Sequence, residues 1–131
     1  MSKQDLRAAQ KIFRALADRN RLRILLMLRE RPLAVCEIRE VLGIAVSTVS
    51  RHLSILKDAG LLADDKDGKW VNYRLSDAGA PEEETLLDVL EKLSGSDPLV
   101  HSDGKRSRDA DRLRICRKLK LLQKSNSKGE V

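Results

Sequence analysis

Aromatic residues are almost missing from this 131-residue chain: one Phe, one Trp and one Tyr, which are Phe13, Trp70 and Tyr73. So small a set cannot build the stacking platform on which single-stranded nucleic acid is held. Cysteine is also scarce. Cys36 and Cys116 are too few for a disulfide framework, and in a reducing compartment both stay thiols. No apolar run approaches the roughly 18 residues that a membrane-spanning helix needs. Met1-Ser2-Lys3-Gln4-Asp5 lacks the charge-then-apolar pattern of an export signal, so a cytoplasmic protein without membrane association is expected. Catalytic signatures are absent too. There is no phosphate-binding glycine loop, no nucleophile elbow, no His-Glu-x-x-His and no dinucleotide turn, so no enzymatic activity is expected.

What is present is a chain of one-domain length, 41% hydrophobic and 35% charged. Its formal net charge of +6 is unevenly spread. Residues 1–31 carry an excess of six cations, residues 32–102 an excess of six carboxylates, and residues 103–131 again six cations. Basic ends attract polyanions, but the acidic middle leaves the decision between nucleic-acid binding and plain solubility to the motifs.

Hydrophobic spacing predicts mostly helix. Leu6, Ala9, Phe13 and Leu16 share one face of a helix over about 3–17. Asp18 or Asn20 can cap a second, about 20–30, which is apolar on most sides and so expected to be buried. After Pro32 and a short extended piece at Leu33-Ala34-Val35, a third helix runs from about Cys36 to Leu42, with Gly43 placed to end it. Ser47 can cap a fourth helix reaching Ala59. Two alternating segments, about 61–65 and 69–75, meet at Asp67-Gly68, a strong hairpin signal. Pro81 opens a fifth helix with Leu86, Leu87, Leu90 and Leu93 turned inward. Residues 95–108 contain Gly95, Pro98 and Gly104 and read as a linker between a 1–94 domain and a basic 109–131 helix and tail. That helix, about 109–123, places Ile115, Leu119 and Leu122 on one stripe, with disorder expected over Ser125–Val131.

Helix, tight turn, helix, hairpin is the order of a winged helix-turn-helix. Ile38, Leu42, Ile44, Val49 and Leu53 are apolar where two such helices must pack. The opposite side of the second helix carries Ser47, Thr48, Ser50, Arg51 and Ser54. Small hydroxyls and a cation are what a helix needs to enter a major groove. Lys66 and Lys69 flank the hairpin tip, within reach of neighbouring phosphates. The rival class is a winged helix that binds protein, for which Arg51 and those lysines would have no use. Ile55 falls toward the polar side without an evident reason.

Three segments resemble the ArsR/SmtB family of bacterial metal-responsive repressors: Ala15–Leu25, the Val49–Leu61 recognition helix and the Gly68–Leu75 wing. Arg19 stands where the family usually has proline. The resemblance covers about residues 8–93. It implies a homodimer built mainly from the first and fifth helices, and a repressor of an imperfect inverted repeat in double-stranded DNA, released by an effector. Half-sites of such dimers lie about 34–36 Å apart. Within the matched segments His52, Lys57, Asn72 and Arg74 join the DNA-facing set, His52 with packing as its other reading.

Arsenite-sensing members carry Cys-Val-Cys at the start of the third helix; here Ala34-Val35-Cys36 keeps only the second cysteine. Cys116 offers a second thiolate from the last helix. As(III) or another soft metal ion, which favours thiolate ligands, is therefore one candidate effector at Cys36 and Cys116. A thiol redox switch and plain packing roles, with a ligand-independent repressor, are the alternatives. A helix's first turn favours the Cys36 thiolate, while Glu37 opposes it. Redox-sensing relatives place a cysteine in the second helix, where this chain has Leu25 and Leu26. Zinc-sensing relatives use Asp and His on the fifth helix, which has no histidine here, so its carboxylates read as a solvated face, and His101 as a solvated linker residue. The basic end has two readings: added affinity for flanking DNA, or a solubilising segment docked through Ile115, Leu119 and Leu122.

Overall fold

A computed structural model describes residues 5–76 and 81–129. Asp5 caps α1 (Leu6–Leu16), its carboxylate accepting the Ala8 N–H at 2.8 Å. The expected start of this helix at residue 3 lies outside the described residues. Asp18, not Asn20, caps α2 (Arg19–Glu30), accepting from the Asn20 and Arg21 amides. Burial alone would raise the Asp18 pKa, but the Arg21 amide and the His52 and Arg21 charges outweigh it and the net direction is down. β1 (Leu33–Ala34) leads into α3 (Val35–Leu42), where the buried Glu37 accepts the Ala34 N–H at 2.8 Å. Gly43, at φ +69°, ends α3 in the left-handed conformation that a side chain disfavours.

α4 (Val46–Asp58) starts one residue before the expected cap: Ala45 holds that place and no side chain caps the helix, so Ser47 is free on its first turn. β2 (Leu62–Asp67) and β3 (Trp70–Leu75) pair antiparallel from Leu62↔Leu75 to Asp67↔Trp70. The turn is thus Gly68-Lys69, one residue later than Asp67-Gly68. Only its first residue has a positive φ, +59° at Gly68, as a type II′ hairpin turn requires. β1 adds to the far side of β3, giving the sheet order β1-β3-β2.

The core lies where α2, α3, α4 and the wing's base converge on Ile24, Leu25, Met27, Leu33, Ile38, Val41, Val49, Leu53 and Leu56. Ile55 packs partly against this cluster, which accounts for an apolar residue near a polar face. Two apolar stripes are not covered. On α1, Leu6 and Phe13 are 86% and 60% exposed, and on α5 (Pro81–Ser94) only Leu87 is buried while Leu93 is 81% exposed. The inward placement expected for Leu93 is corrected. α5 is held to α2 by charge instead: Arg29 pairs with Glu84, Asp88 and Glu91, a stripe spaced along one helix face. These carboxylates are therefore not a merely solvated face.

The expected linker is largely helix. Pro98 supplies the first turn of α6 (Pro98–Asp109) and Asp97 caps it. Asp103 and Ser107 are buried against the body of the fold. Arg31 donates to the Ser107 and Ala110 carbonyls, and Arg106 to the free carbonyls of Glu40 and Val41 near the end of α3. These ties hold a segment whose Gly and Pro content reads as loop. α7 (Arg112–Gly129) follows and packs on α3, with Ile115 buried. Its helix extends through Ser125–Gly129, where disorder is expected from the sequence; residues 130–131 lie outside the described residues.

Candidate nucleic-acid interface

α4 is presented by apolar packing on one side only. Val49, Leu53 and Leu56 fix it in the core, which leaves Ser47, Thr48, Ser50, Arg51, Ser54 and Lys57 exposed. Arg51 has no carboxylate partner among the described residues. His52 is placed differently. It is 8% exposed, and its Nδ1 lies 3.1 Å from Arg21 Nη1. A guanidinium only donates, so Nδ1 accepts. Arg21 also donates to the Ala15 carbonyl at 2.7 Å, so His52 belongs to a joint between α1, α2 and α4. Packing, the other reading made for it, is where the structure puts it.

The wing is more self-paired than its sequence indicates. Lys57 meets Asp64 at 2.9 Å and Arg74 meets Asp65 at 2.8 Å. The Asp64 carboxylate raises the pKa of Lys57. Lys66 stays exposed at the tip, and Lys69 lies over the Trp70 ring, 5.0 Å from its centroid. Arg112, the first residue of α7, donates to Asp67 at 2.8 Å and to Asn72 at 3.3 Å. Its guanidinium also sits 5.1 Å from the Trp70 centroid. Sequence spacing gave no sign of Arg112, because 45 residues separate it from Asp67. The only signal available was an unexplained arginine next to a helix start.

Arg112 pins the wing tip. Its replacement by alanine removes two charge-assisted hydrogen bonds and a cation–π contact at a half-exposed site. Amide exchange over residues 67–70 is expected to speed up roughly five- to tenfold, equivalent to about 1–1.4 kcal/mol. Trp70, the chain's one tryptophan, should shift its emission to the red. Unchanged exchange and unchanged emission would remove the clamp.

Cys36 and Cys116 are both free and half-buried. The α3–α7 contact brings them near one another, close enough for Cys116 to bear on the Cys36 titration. Burial pushes the Cys36 thiol above its ordinary pKa, with Glu37 and then Cys116 adding to it. The first-turn position is outweighed, so Cys36 is not an activated thiolate. Among the described residues no group of three or more His, Cys, Asp or Glu is arranged to hold a metal ion. His101 is exposed on α6.

A helix-turn-helix with a polar, solvent-facing second helix and a three-stranded wing defines the winged helix-turn-helix class of regulators. The family model for the bacterial regulatory proteins of the arsR family matches residues 18–64. The chain is 48% identical over 66 residues to an arsenical resistance operon repressor of Escherichia coli K12, half of this chain and 56% of that protein. It is 40% identical over 83 residues to an HTH-type transcriptional regulator of Methanocaldococcus jannaschii, covering 63% of this chain and 93% of that one. A homodimeric winged helix-turn-helix DNA-binding domain from Mycobacterium bovis superposes with a TM-score of 0.60 at 25% identity, over 75% of this chain and 94% of that one. The chain belongs to the arsR family, whose members are transcriptional regulators and not enzymes. It spans little more than half the length of the Escherichia coli repressor. No helix among the described residues is long and apolar enough to cross a membrane.

Proposed function

We propose that this chain is a DNA-binding transcriptional repressor that acts as a homodimer on an inverted repeat and is released by a soft metalloid, As(III) as arsenite, captured by Cys36 and Cys116. The observation that carries the DNA-binding part is the exposed Ser47, Ser50, Arg51 and Ser54 face of α4, mounted rigidly by its buried side. In this reading the hydroxyls and Arg51 meet base edges and phosphates, and Thr48, Lys57, Lys66, Lys69, Asn72 and Arg74 border the groove. Lys57 and Arg74 exchange wing carboxylates for phosphates on binding. The uncovered Leu6, Phe13, Val89 and Leu93 supply an apolar face on α1 and α5 for the second subunit. That agrees with the homodimeric state of the Mycobacterium bovis domain.

The effector site rests on the α3–α7 contact. Two S–As bonds form, two As–OH bonds break, and each hydroxide leaves as water with a thiol proton, so arsenic stays trivalent and no oxidant is needed. Drawing the two sulfurs onto one atom re-seats α7 against α3. Because α3 is packed on α4 through Ile38, Val41 and Leu42, the strain reaches the recognition helix. A raised Cys36 pKa slows attack by a sulfur nucleophile, and this weighs against the redox alternative.

The test is anisotropy of the reduced protein on a labelled duplex from upstream of its own gene. Binding is expected to collapse at near-stoichiometric arsenite, with capture faster at higher pH as the Cys36 thiolate fraction grows. Cys36→Ser and Cys116→Ser should each keep DNA binding and lose the response. Binding that ignores arsenite retires the metalloid and leaves the repressor reading in place. Binding that is indifferent to salt would instead favour a protein-interaction module.

A further inference from the structure

Most arginines of this fold have an acidic counterpart or a carbonyl. Arg23, Arg29, Arg31, Arg74, Arg108 and Arg112 all pair with carboxylates. α7 departs from that pattern. Between Arg112 and Gly129 it carries seven lysines and arginines and no acidic residue. Arg114, Arg117 and Lys118 lie at helical i, i+3 and i+4, all exposed, and among the described residues none has a carboxylate partner. Arg114 reaches only the Asp109 carbonyl, at 2.6 Å.

Such a helix is electrostatically unfavourable by itself. Cations in its first turns oppose the macrodipole, and like charges at i, i+4 repel. A polyanion relieves both. The position of α7 selects which polyanion. Its first residue is fixed to the wing by Asp67, Asn72 and Trp70, and its inner face, through Ile115, is seated on α3 of the helix-turn-helix. The basic face therefore continues the edge that the wing begins. Eighteen residues of helix span about 27 Å, enough to follow several phosphates. An interfacial membrane helix needs a free apolar face. Here that face is spent on α3, and the exposed Leu113 and Leu121 are interleaved with Arg117 on the charged side.

We propose that the outer face of α7, carried by Arg114, Arg117 and Lys118, is a second DNA-binding surface that grips the phosphate backbone flanking the site read by α4. This rests on the reading of α4 as the DNA-reading helix. The experiment compares the full chain with its Arg114→Gln/Arg117→Gln/Lys118→Gln variant, checked for unchanged helix content by circular dichroism. Affinity is measured against salt on two duplexes, one bearing the site alone and one extended by a helical turn at each end.

The log–log salt slope on the long duplex should fall by about two to three units, from roughly 0.9 per lost phosphate contact. Wild type should prefer the long duplex about tenfold or more, and the variant should not distinguish the two. An unchanged slope and length preference overturns the proposal. So does binding of wild type to phosphatidylserine vesicles that the triple variant loses while its DNA slope stays put. Arg51→Ala separates the two failures. If it abolishes site selectivity while the triple variant binds like wild type, only this inference fails; if it changes nothing, the reading of α4 fails with it.

Discussion

Asp103→Ala should destabilise the protein by about 3–5 kcal/mol, the usual cost of removing one partner from a buried ion pair. Asp103 is 3% exposed and receives Arg23 in a two-point contact, Nε to Oδ2 at 2.7 Å and Nη2 to Oδ1 at 3.0 Å. Arg23 is itself held by Asn20 at 3.0 Å. Alanine leaves a guanidinium shielded from water with half of its donors unmet. Single domains hold only about 5–15 kcal/mol in total, so much of the margin is lost. Urea titration followed by circular dichroism reads the effect directly. Arg23→Met combined with Asp103→Leu should recover a large part of it, since both charges then leave together. A loss below about 1 kcal/mol would mean that α6 is not docked as described. The expected loss is large because this one pair, 80 residues apart in sequence, fastens α6 to α2.

The second large effect concerns Arg51→Ala. Arg51 stands on the exposed face of α4 between Ser47, Ser50 and Ser54, one helical turn from each end of that row. A planar fork with five donors is suited to two-point contact with guanine or phosphate. Losing such a contact costs about 1–3 kcal/mol, so affinity for the operator should drop roughly ten- to a hundredfold. Stability should not change, because the side chain touches none of the core. The readout is operator binding beside a scrambled duplex: a base contact narrows the ratio between them, while a phosphate contact lowers both alike. Affinity equal to wild type on the operator would remove Arg51 from the interface.

The two predictions differ in how legible their residues are. Arg51 is visible from local pattern alone, since Val49, Leu53 and Leu56 mark one side of α4 as core and leave the other for solvent. Arg23 and Asp103 are not visible. Arg23 counts only as one cation in a basic N-terminal third, and Asp103 sits in a stretch whose Gly95, Pro98 and Gly104 suggest a linker. Summed charge misleads in the same way. Arg21, Arg23, Arg29 and Arg31 look like a basic patch for a polyanion, but His52, Asp103, the α5 carboxylates and Glu37 occupy them. A residue count cannot tell a spent cation from a free one.

Short-range physics was enough for the elements and their order. Asp5 and Asp18 cap helices because a carboxylate can accept amides two or three residues on. Gly43 and Gly68 turn the chain because only glycine takes a positive φ without penalty. Apolar spacing selects which side of α2, α3 and α4 is buried, and with it the exposed face on which the DNA reading rests. Tertiary structure alone decided the remainder. It showed that α6 is docked and not a tether, and that His52 faces inward. Arg112 reaches the wing across 45 residues, and the α3–α7 contact brings Cys36 near Cys116. These are pairings between charged or polar groups far apart in sequence. Periodicity records how each element meets the core, but it carries no information about which distant partner satisfies a given polar side chain.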